Sequence, residues 1–239
     1  MNLLLLAPRE LREPDLAAVS FTRYPARPGL WPPVPGRRLR VGLLDGLLGE
    51  GVVEALEDAH VLVRFRLDSP PPPPLPLGLV LALPRPKMLR RVLRGAAELG
   101  IKRIWLVNAG RVDKSYWQSP LLAPEAIAAW LGAGLEQAVD TVLPEVVLRP
   151  RLKPFVEDEL PAIAAGTGCV IAHPAASAPL VAAGNAPVTL AIGPEGGFSD
   201  FELGLFAVAG FTAASLGARV LRVETALPVI VANLFPAAR

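Results

Sequence analysis

The sequence predicts an α/β protein whose main sheet is mostly parallel and is covered by helices on both faces, preceded by a smaller β-rich unit. Two observations lead to this fold class. Short apolar runs alternate with helical patterns over residues 77–239, as in parallel sheets built from β-α units. Before them, the proline run Pro70–Pro74 favours an extended spacer over packed structure. The predicted domains are therefore 1–68, a linker at 69–76, and 77–239.

The first unit is predicted to be rich in β-strands. Asn2–Ala7 lacks the basic start of a secretory signal and meets Pro8 early, which favours a first strand instead. A turn is predicted at Asp45-Gly46. Three further strands are predicted, over Leu39–Leu44, Gly51–Leu56 and His60–Arg66.

Each β-α unit of the second domain has its own sequence signal. Leu77–Leu83 is a continuous apolar run, typical of a strand that is buried on both faces. Apolar residues then recur at helical spacing from Leu89 to Leu99, and Gly100 stands where a C-terminal cap belongs. The other predicted strands are Ile101–Val107, Glu145–Leu148, Gly168–Ala172, Val188–Ile192 and Phe211–Leu216. The other predicted helices are Pro124–Ala138, Pro154–Ala165 and Ser199–Ala209.

Composition limits the classes of function. The apolar runs are shorter than the roughly 20 residues that a transmembrane helix needs, so no membrane span is predicted. The single cysteine, Cys169, cannot form an internal disulfide, which favours a reducing, cytoplasmic location. His60 and His173 do not combine with it into metal-ligand spacing, so no metal is expected. A net charge of +2 makes nucleic-acid binding depend on local basic clusters.

Two glycine-containing segments at strand ends lead to the functional hypothesis, because ligands of open α/β sheets bind beyond the carboxyl ends of the strands. The first, at 191–202, reads Ala-Ile-Gly-Pro-Glu-Gly-Gly-Phe-Ser-Asp-Phe-Glu, and its Ser199 and Glu202 have capping-box spacing. It lacks the Gly-Lys-Ser/Thr ending of a phosphate loop. The second, at 215–226, reads Ser-Leu-Gly-Ala-Arg-Val-Leu-Arg-Val-Glu-Thr-Ala.

Together these segments resemble the signature of the RsmE family, within the SPOUT superfamily of knotted methyltransferases. That signature reads approximately Ile-Gly-Pro-Glu-Gly-Gly-Phe-Ser, then Leu-Gly-x-Arg-Ile-Leu-Arg-x-Glu-Thr-Ala. Weaker resemblance at Lys87–Ile101, Glu136-Gln137 and Pro144-Glu145 extends the match over most of 77–239. The resemblance implies an S-adenosylmethionine-dependent enzyme that methylates N3 of a uridine in small-subunit (16S) ribosomal RNA.

The resemblance also implies features that periodicity cannot predict. These are a deep trefoil knot in the second domain, a homodimer, and a PUA-like β-barrel in residues 1–68 that helps to hold RNA. By the same resemblance, seven residues would bind S-adenosylmethionine, chiefly through backbone groups: Ile192, Gly193, Gly196, Leu216, Gly217, Val220 and Leu221.

Three charged residues of the second segment are candidates for catalysis. Methyl transfer to uridine N3 requires loss of the imide proton or stabilisation of the anion that develops. Arg222 is the first candidate for stabilising that anion and Arg219 the second, since a guanidinium stays protonated and can pair with a planar carbonyl edge. Glu224 is a candidate base or an orienting hydrogen-bond acceptor. Taken alone, the same charges would be interpreted as a surface ion-pair cluster.

Seven basic residues are candidates for RNA binding, although a solvated surface explains them equally well. Those of the first predicted helix lie on its polar side, where they would contact phosphate without reading sequence. Trp117, in the loop after the predicted strand Ile101–Val107, could stack a base or pack internally. The candidate cations are Arg37, Arg38, Lys87, Arg90, Arg91, Arg94 and Lys114.

Two alternatives to this enzyme remain. One is a non-catalytic RNA- or ribosome-binding relative, or a methyltransferase with another RNA target. Asp140, where the family commonly has arginine, and Gly36–Val41, which lacks the family's His-x-x-x-Val-Leu-Arg pattern, favour it. The other is a phosphate-binding enzyme, which Glu195 disfavours because its charge would repel phosphate. The enzyme hypothesis is favoured by four residues that match the signature: Arg219, Arg222, Glu224 and Thr225.

Overall fold

The chain forms two compact units, each built around its own six-stranded sheet. The computed structural model describes residues 2–23 and 33–236. The first unit holds the described residues up to Pro73 together with Gly132–Leu143, and the second holds Pro74–Leu131 and the described residues from Pro144 onward. No local pattern indicated that residues 132–143 would group with the first unit, because the helical pattern runs through position 132 without interruption.

The sheet of the first unit surrounds a core of alternating apolar side chains. Its strands are β1 (Leu4–Leu6), β2 (Leu11–Glu13), β3 (Leu16–Ser20), β4 (Arg38–Leu43), β5 (Leu48–Glu57) and β6 (His60–Ser69). Their order is β1-β4-β5-β6-β3-β2, with β1 parallel to β4 and the other neighbours antiparallel. Along β6, Val61, Val63 and Phe65 are buried whereas Arg64 and Arg66 are exposed, the two-residue period of a half-buried strand.

The predicted strands of this unit are confirmed, although two strands were missed. The predicted turn joins β4 to β5, and Asp45 there has a φ of 57°. Strand β5 is longer than predicted at both ends. The short strands β2 and β3 were not predicted, because Leu11–Glu13 and Leu16–Ser20 are interrupted by charge and by a turn and show too little alternation.

The sheet of the second unit is parallel throughout. Its strands are β7 (Leu77–Ala82), β8 (Arg103–Val107), β9 (Glu145–Arg149), β10 (Gly168–Ala172), β11 (Val188–Ile192) and β12 (Thr212–Ala214). Their order is β12-β10-β11-β7-β8-β9, and every neighbouring pair is parallel. The predicted α/β fold with a mostly parallel sheet is confirmed. Strand β8 begins two residues later than predicted, and β12 is shorter than the predicted strand Phe211–Leu216.

Helices connect these strands, and the predicted helix at Pro154–Ala165 needs correction. The helices are α1 (Pro86–Glu98), α2 (Pro124–Ala138), α3 (Leu152–Pro154), α4 (Leu160–Ile163), α5 (Asp200–Val208) and α6 (Val223–Leu234). A π-helical turn, Phe155–Glu159, separates α3 from α4. Pro161 supplies no backbone N–H and its ring would crowd the carbonyl four residues earlier, so the turn before it widens. None of the described helices has the length and hydropathy that a bilayer crossing requires.

Helix α1 follows its sequence signals closely. It begins with Pro86 in the first turn, where the missing N–H has no cost to the helix. Gly100 has a φ of 79°, and the Ile101 N–H donates to the Ala96 carbonyl, as in a helix that ends on a left-handed glycine. Of the predicted apolar residues, Leu89, Val92, Leu93 and Ala96 are buried, together with Ala97, whereas Leu99 is half-buried at the C-cap.

Three phenylalanines join the segments that leave β11 and enter β12. The ring of Phe206, fully buried on α5, lies 5.0 Å from that of Phe198 and 5.3 Å from that of Phe211, measured between ring centroids. Both neighbours are also buried. Aromatic pairs at such tilted geometries add to the burial of their surface.

The substitution Phe206→Ala is expected to lower the free energy of unfolding by about 3–5 kcal/mol, because it leaves a cavity among three packed rings. Phe201→Ala on the same helix is the matched control, since that ring is 65% exposed and its removal should cost less than about 0.5 kcal/mol. Urea denaturation followed by circular dichroism measures both. Equal losses would show that the three-ring cluster does not stabilise the fold.

Candidate active site

A cleft of about 230 Å³ opens at the carboxyl ends of the parallel strands. Its lining comes from the segments that leave β7, β10, β11 and β12. Ligands of open α/β sheets usually bind at this edge. The lining residues are Pro84, Ala172, His173, Pro174, Ile192, Gly193, Pro194, Glu195, Gly197, Phe198, Ala214, Leu216, Gly217, Arg219, Val220, Leu221, Arg222, Val223 and Ala226.

Both signature segments reach this one cleft. Of the residues predicted to bind S-adenosylmethionine, all but Gly196 line it: Ile192, Gly193, Leu216, Gly217, Val220 and Leu221. The register explains the meeting, because β10 pairs with both β11 and β12, so that the loops after these strands leave the sheet at neighbouring positions. Pro84, Phe198 and Ala214 also line the cleft but were not predicted, since apolar residues in loops carry no distinctive sequence signal.

The glycines of the first segment are required by the loop itself. A Cβ on Gly193 would lie 3.1 Å from the Phe198 nitrogen and 3.2 Å from its Cδ2. A Cβ on Gly196 would lie 3.1 Å from Cδ of Arg111. Gly197 has a φ of 71°, which favours glycine on conformational grounds. The sequence had suggested close approach of a ligand as the reason for these glycines, and the structure adds packing within the protein.

The predicted capping box is confirmed. The Ser199 hydroxyl accepts from the Glu202 N–H at 3.3 Å, and the Glu202 carboxylate accepts from the Ser199 N–H at 2.7 Å. Glu202 is only 5% exposed, and its other oxygen accepts from the Gly110 N–H at 2.6 Å. The contact with Gly110, in the loop after β8, was missed, since nothing in the sequence relates positions so far apart.

Glu195 connects two loops at the rim of the cleft. Its Oε1 accepts from the Arg85 N–H at 3.3 Å and lies 3.8 Å from Nε of the same arginine. Both side chains are exposed, so this ion pair adds little stability. The carboxylate nevertheless places negative charge at the cleft, which agrees with its predicted repulsion of a phosphate.

Two of the three catalytic candidates line the cleft. Arg222 and Arg219 both do, and both are exposed. Arg222 is the N-cap residue of α6, and its carbonyl accepts from the Thr225 and Ala226 N–H groups, so helix formation fixes its backbone. Glu224, in the first turn of α6, is half-buried and is not among the lining residues.

The charges of this segment do not form the ion-pair cluster that was the alternative interpretation. Within residues 2–23 and 33–236, neither Arg219 nor Arg222 forms an ion pair, and neither does Glu224. Elsewhere in the protein, exposed arginines such as Arg64 and Arg149 contact carboxylates. The two cleft arginines therefore hold charge that no carboxylate of the described chain neutralises. His173 and Pro174 also line the cleft.

The RNA-binding candidates lie on different elements and differ in their contacts. Lys87, Arg90, Arg91 and Arg94 form one exposed stripe along α1, because residues three and four apart share a helix face. Within that stripe, Nε of Arg94 lies 2.9 Å from the Glu98 carboxylate. In the first unit, Arg38 is 3.9 Å from Glu50, and Arg37 exchanges backbone hydrogen bonds with Val34 and Val53. Lys114 is exposed in the 3-10 helix Lys114–Gln118.

Two residues that the sequence singled out have internal contacts. Trp117 is half-buried, and its Nε1 lies in the interior with no hydrogen-bond partner among the described residues, which favours packing over base stacking. Asp140 is 3% exposed in the first unit, and its Oδ1 accepts from the Val142 N–H at 3.0 Å. The carboxylate that replaces the family's arginine thus helps to close the turn after α2.

Known proteins share this sequence pattern and this fold. Residues 71–234 match the RNA methyltransferase domain family. A relative from Treponema pallidum, ribosomal RNA small subunit methyltransferase E, is 31% identical over 197 residues, which cover 80% of this chain and 74% of the relative. The chain belongs to the RsmE family of RNA methyltransferases. The resemblance that the two signature segments carried is confirmed.

Solved structures agree with this assignment. A protein of Legionella pneumophila in complex with the cofactor SAM superposes with a TM-score of 0.74 at 27% identity, covering 97% of both chains. Ribosomal RNA small subunit methyltransferase E of Neisseria gonorrhoeae, bound to S-adenosyl methionine, superposes with a TM-score of 0.74 at 20% identity, covering 97% of this chain and 96% of that one. Both of these proteins thus share the fold of this chain over nearly its whole length.

Two glycine-to-alanine substitutions are expected to change stability in opposite directions. Gly217 in the cleft has a φ of 112°, so Gly217→Ala should destabilise the fold by about 1–2 kcal/mol. Gly204 lies inside α5 with open space around it, so Gly204→Ala should stabilise it by about 0.5–1 kcal/mol. Denaturant unfolding measures both values. A neutral Gly217→Ala would mean that the loop adapts at no cost.

Proposed function

We propose that this RsmE-family protein is an S-adenosylmethionine-dependent methyltransferase that modifies N3 of a uridine in small-subunit ribosomal RNA. The observation that supports it best is the meeting of both signature segments in one cleft, with two arginines that pair with no carboxylate among the described residues. The relatives from Treponema pallidum and Neisseria gonorrhoeae are named as small-subunit ribosomal RNA methyltransferases. The Legionella pneumophila and Neisseria gonorrhoeae structures contain S-adenosylmethionine.

The chemistry of the cleft fits this cofactor. Ile192, Leu216 and Leu221 offer apolar surface for an adenine ring, and the glycine and proline loops offer backbone groups to its polar edges. No phosphate has to be accommodated, which suits the carboxylate of Glu195 at the rim. When bound, S-adenosylmethionine supplies an electrophilic methyl group on a sulfonium. The chain's own residues must hold the uracil in line with that group.

Arg222 is the residue that we assign to stabilising the uracil anion. Its guanidinium can pair with a carbonyl oxygen of the ring, where negative charge develops as N3 gives its proton to solvent water. The N-terminal end of α6 also faces the cleft through Val223 and Ala226, and its partial positive charge favours the same anion. Arg219 is a second cation at this place. Glu224, in the first turn of α6, places a carboxylate at the positive end of that helix, which stabilises the helix.

The finer features of the second unit are also part of the proposal. A trefoil knot is supported by the segment after β10, which contacts parts of the chain that come much later. Its Ala178 carbonyl accepts from the Ser215 N–H, its Leu180 N–H donates to the Ser215 carbonyl, and its Ala183 N–H donates to the Leu234 carbonyl. A homodimer, which the family resemblance implies, is likewise part of the proposal.

We further propose that residues 1–68 form a PUA-like barrel, with a linker at 69–76 and the knotted domain at 77–239. Strand β6 ends at Ser69 and β7 begins at Leu77, which supports the linker. Register shifts in β5 against β6 support a barrel, because bulges bend a sheet toward closure. The cytoplasm, where a thiol such as Cys169 stays reduced, is the proposed location.

Transfer of labelled methyl from S-adenosylmethionine to small ribosomal subunits of a strain lacking this activity tests the function. We expect label in 3-methyluridine, identified by mass spectrometry of the digested RNA. Cofactor binding without transfer would instead indicate another RNA target or a non-catalytic binder. Absence of cofactor binding would refute the proposed cofactor site.

Arg222→Ala is expected to lower kcat by about 10²-fold, the scale on which a preorganised charge contributes to a transition state. Its dissociation constant for S-adenosylmethionine should change little, because the role is on the uracil side. Arg103→Ala is the matched control, because Arg103 is the first residue of β8 and the cleft opens at the other, carboxyl ends of the strands. Its guanidinium lies 5.9 Å from the Trp105 ring. A kcat that is equal in both variants would reassign the anion-stabilising role.

The α1 stripe should contribute to RNA affinity through phosphate contacts. Arg90→Ala and Arg91→Ala are each expected to reduce the slope of log K against log salt concentration by about 0.7–0.9, the value for one lost phosphate contact. Arg94→Ala is the control, because Glu98 already pairs with that side chain. Fluorescence anisotropy with a ribosomal RNA fragment measures the slopes. Identical slopes in all three variants and the wild type would leave the stripe as a solvated surface.

A further inference from the structure

We propose that Glu202 is a positioning residue that holds the loop 108–112, and with it Arg111, against the cofactor loop 193–198. The proposal rests on the proposed function and deepens it, because it adds a substrate-side cation that the signature segments do not contain. Neither Glu202 nor Arg111 is among the residues that line the cleft. Glu202 therefore acts through its neighbours.

The hydrogen bonds of Glu202 exceed what a helix cap needs. Its Oε2 accepts from the Ser199 N–H at 2.7 Å and from the Ser199 hydroxyl at 2.9 Å, which completes the capping box of α5. Its Oε1 accepts from the Gly110 N–H at 2.6 Å, across 92 positions of sequence. With 5% of the residue exposed, water does not offer these donors an easy substitute. One carboxylate thus joins the loop after β11 to the loop after β8.

Arg111 is held on its other side by the cofactor loop. Its Nη1 donates to the Gly196 carbonyl at 2.5 Å. Its Cδ would lie 3.1 Å from a Cβ at Gly196, so the absence of a side chain there makes room for the stem of the arginine. The loop at Gly110 and Arg111 is therefore held by two contacts, one through the Gly110 backbone N–H and one through the Arg111 side chain. Gly196, which was expected to meet the cofactor, serves this contact.

The charge of Arg111 remains available to a ligand. The side chain is exposed, and no carboxylate pairs with it in the part of the chain that the structure describes. A guanidinium has five N–H donors in a planar fork, and the Gly196 carbonyl engages one nitrogen. An RNA phosphate is the partner that fits the remaining donors. A fixed arginine beside the cofactor loop would hold the RNA backbone while the target uridine enters the cleft.

Glu202→Gln tests the positioning role, because a carboxamide has one acceptor oxygen and cannot serve both Ser199 and Gly110. We expect the KM for RNA to rise by about tenfold, as for loss of one ordered charged contact, with kcat and the cofactor dissociation constant changed by less than about threefold. The Gly110 amide should exchange faster with solvent, measured by NMR. Ser199→Ala is the matched control: it removes the hydroxyl of the cap and leaves both oxygens of Glu202, so Gly110 stays protected and the KM for RNA stays near the wild-type value.

A double-mutant cycle decides whether Glu202 acts through Arg111. Arg111→Ala alone and combined with Glu202→Gln should raise the KM for RNA by the same factor, because the second change removes support for a side chain that is already gone. If the KM of the double variant rose by the product of the two single-variant factors, the proposal would be overturned. An unchanged exchange rate of the Gly110 amide in Glu202→Gln would overturn it as well. If Glu202→Gln and Ser199→Ala weakened cofactor binding equally and left the KM for RNA unchanged, Glu202 would be a helix cap only.

Two precautions keep this test separate from that of the proposed function. Gly110 exchange needs neither RNA nor cofactor, and dissociation constants for RNA can replace KM values. If the wild type transferred no methyl group, the proposed function would be refuted. Gly110 exchange and the dissociation constants for RNA would still decide the positioning role. Thermal unfolding checks that each variant is folded. Glu202→Asp, which keeps the charge but shortens its reach toward Gly110, takes the place of Glu202→Gln if the latter does not fold.

Discussion

The central position of β11 is the constraint on which the site depends. This strand is buried along its whole length and pairs in parallel with β10 on one side and β7 on the other. Because neighbouring parallel strands end at the same edge of a sheet, the loops after β7, β10 and β11 must leave it side by side. The β12 loop joins them through the pairing of β12 with β10. Residues from four distant parts of the chain therefore line one cleft.

The cofactor loop obtains its shape from contacts on both of its surfaces. Toward the interior, Phe198 packs on Phe206, and Gly193 leaves room for Phe198. On the outer side, Gly196 makes room for Arg111. The capping box then begins the helix α5 and gives hydrogen-bond partners to the Ser199 and Glu202 N–H groups, which a helix N-terminus would otherwise leave without an intrahelical acceptor. Contacts within the chain thus explain much of the glycine, serine and glutamate pattern that marks the family. These contacts shape the loop that lines the cleft.

Charge is distributed unevenly between scaffold and site. Glu159 accepts hydrogen bonds from Arg149 and raises the pKa of that guanidinium, and Glu54 does the same for Arg64. Arg64 and Glu54 lie on the neighbouring strands β6 and β5, whereas Arg149, the last residue of β9, pairs with Glu159 of the π-helical turn. Around the cleft, Arg219 and Arg222 have no carboxylate partner among the described residues. Cations without partners are suited to an anionic substrate, since no ion pair must be broken before binding.

The sequence by itself determined the type and place of most elements of the second unit, because apolar periodicity and capping residues are local signals. Helix α2 and strands β10 and β11 lie where they were predicted, and the two signature segments identified the family. Only the tertiary structure decided which loops meet. The contact of Glu202 with Gly110, the grouping of residues 132–143 with the first unit, and the room that Gly196 leaves for Arg111 all join distant positions. Their physical basis is strand order and side-chain packing in three dimensions, which no window of a single sequence contains.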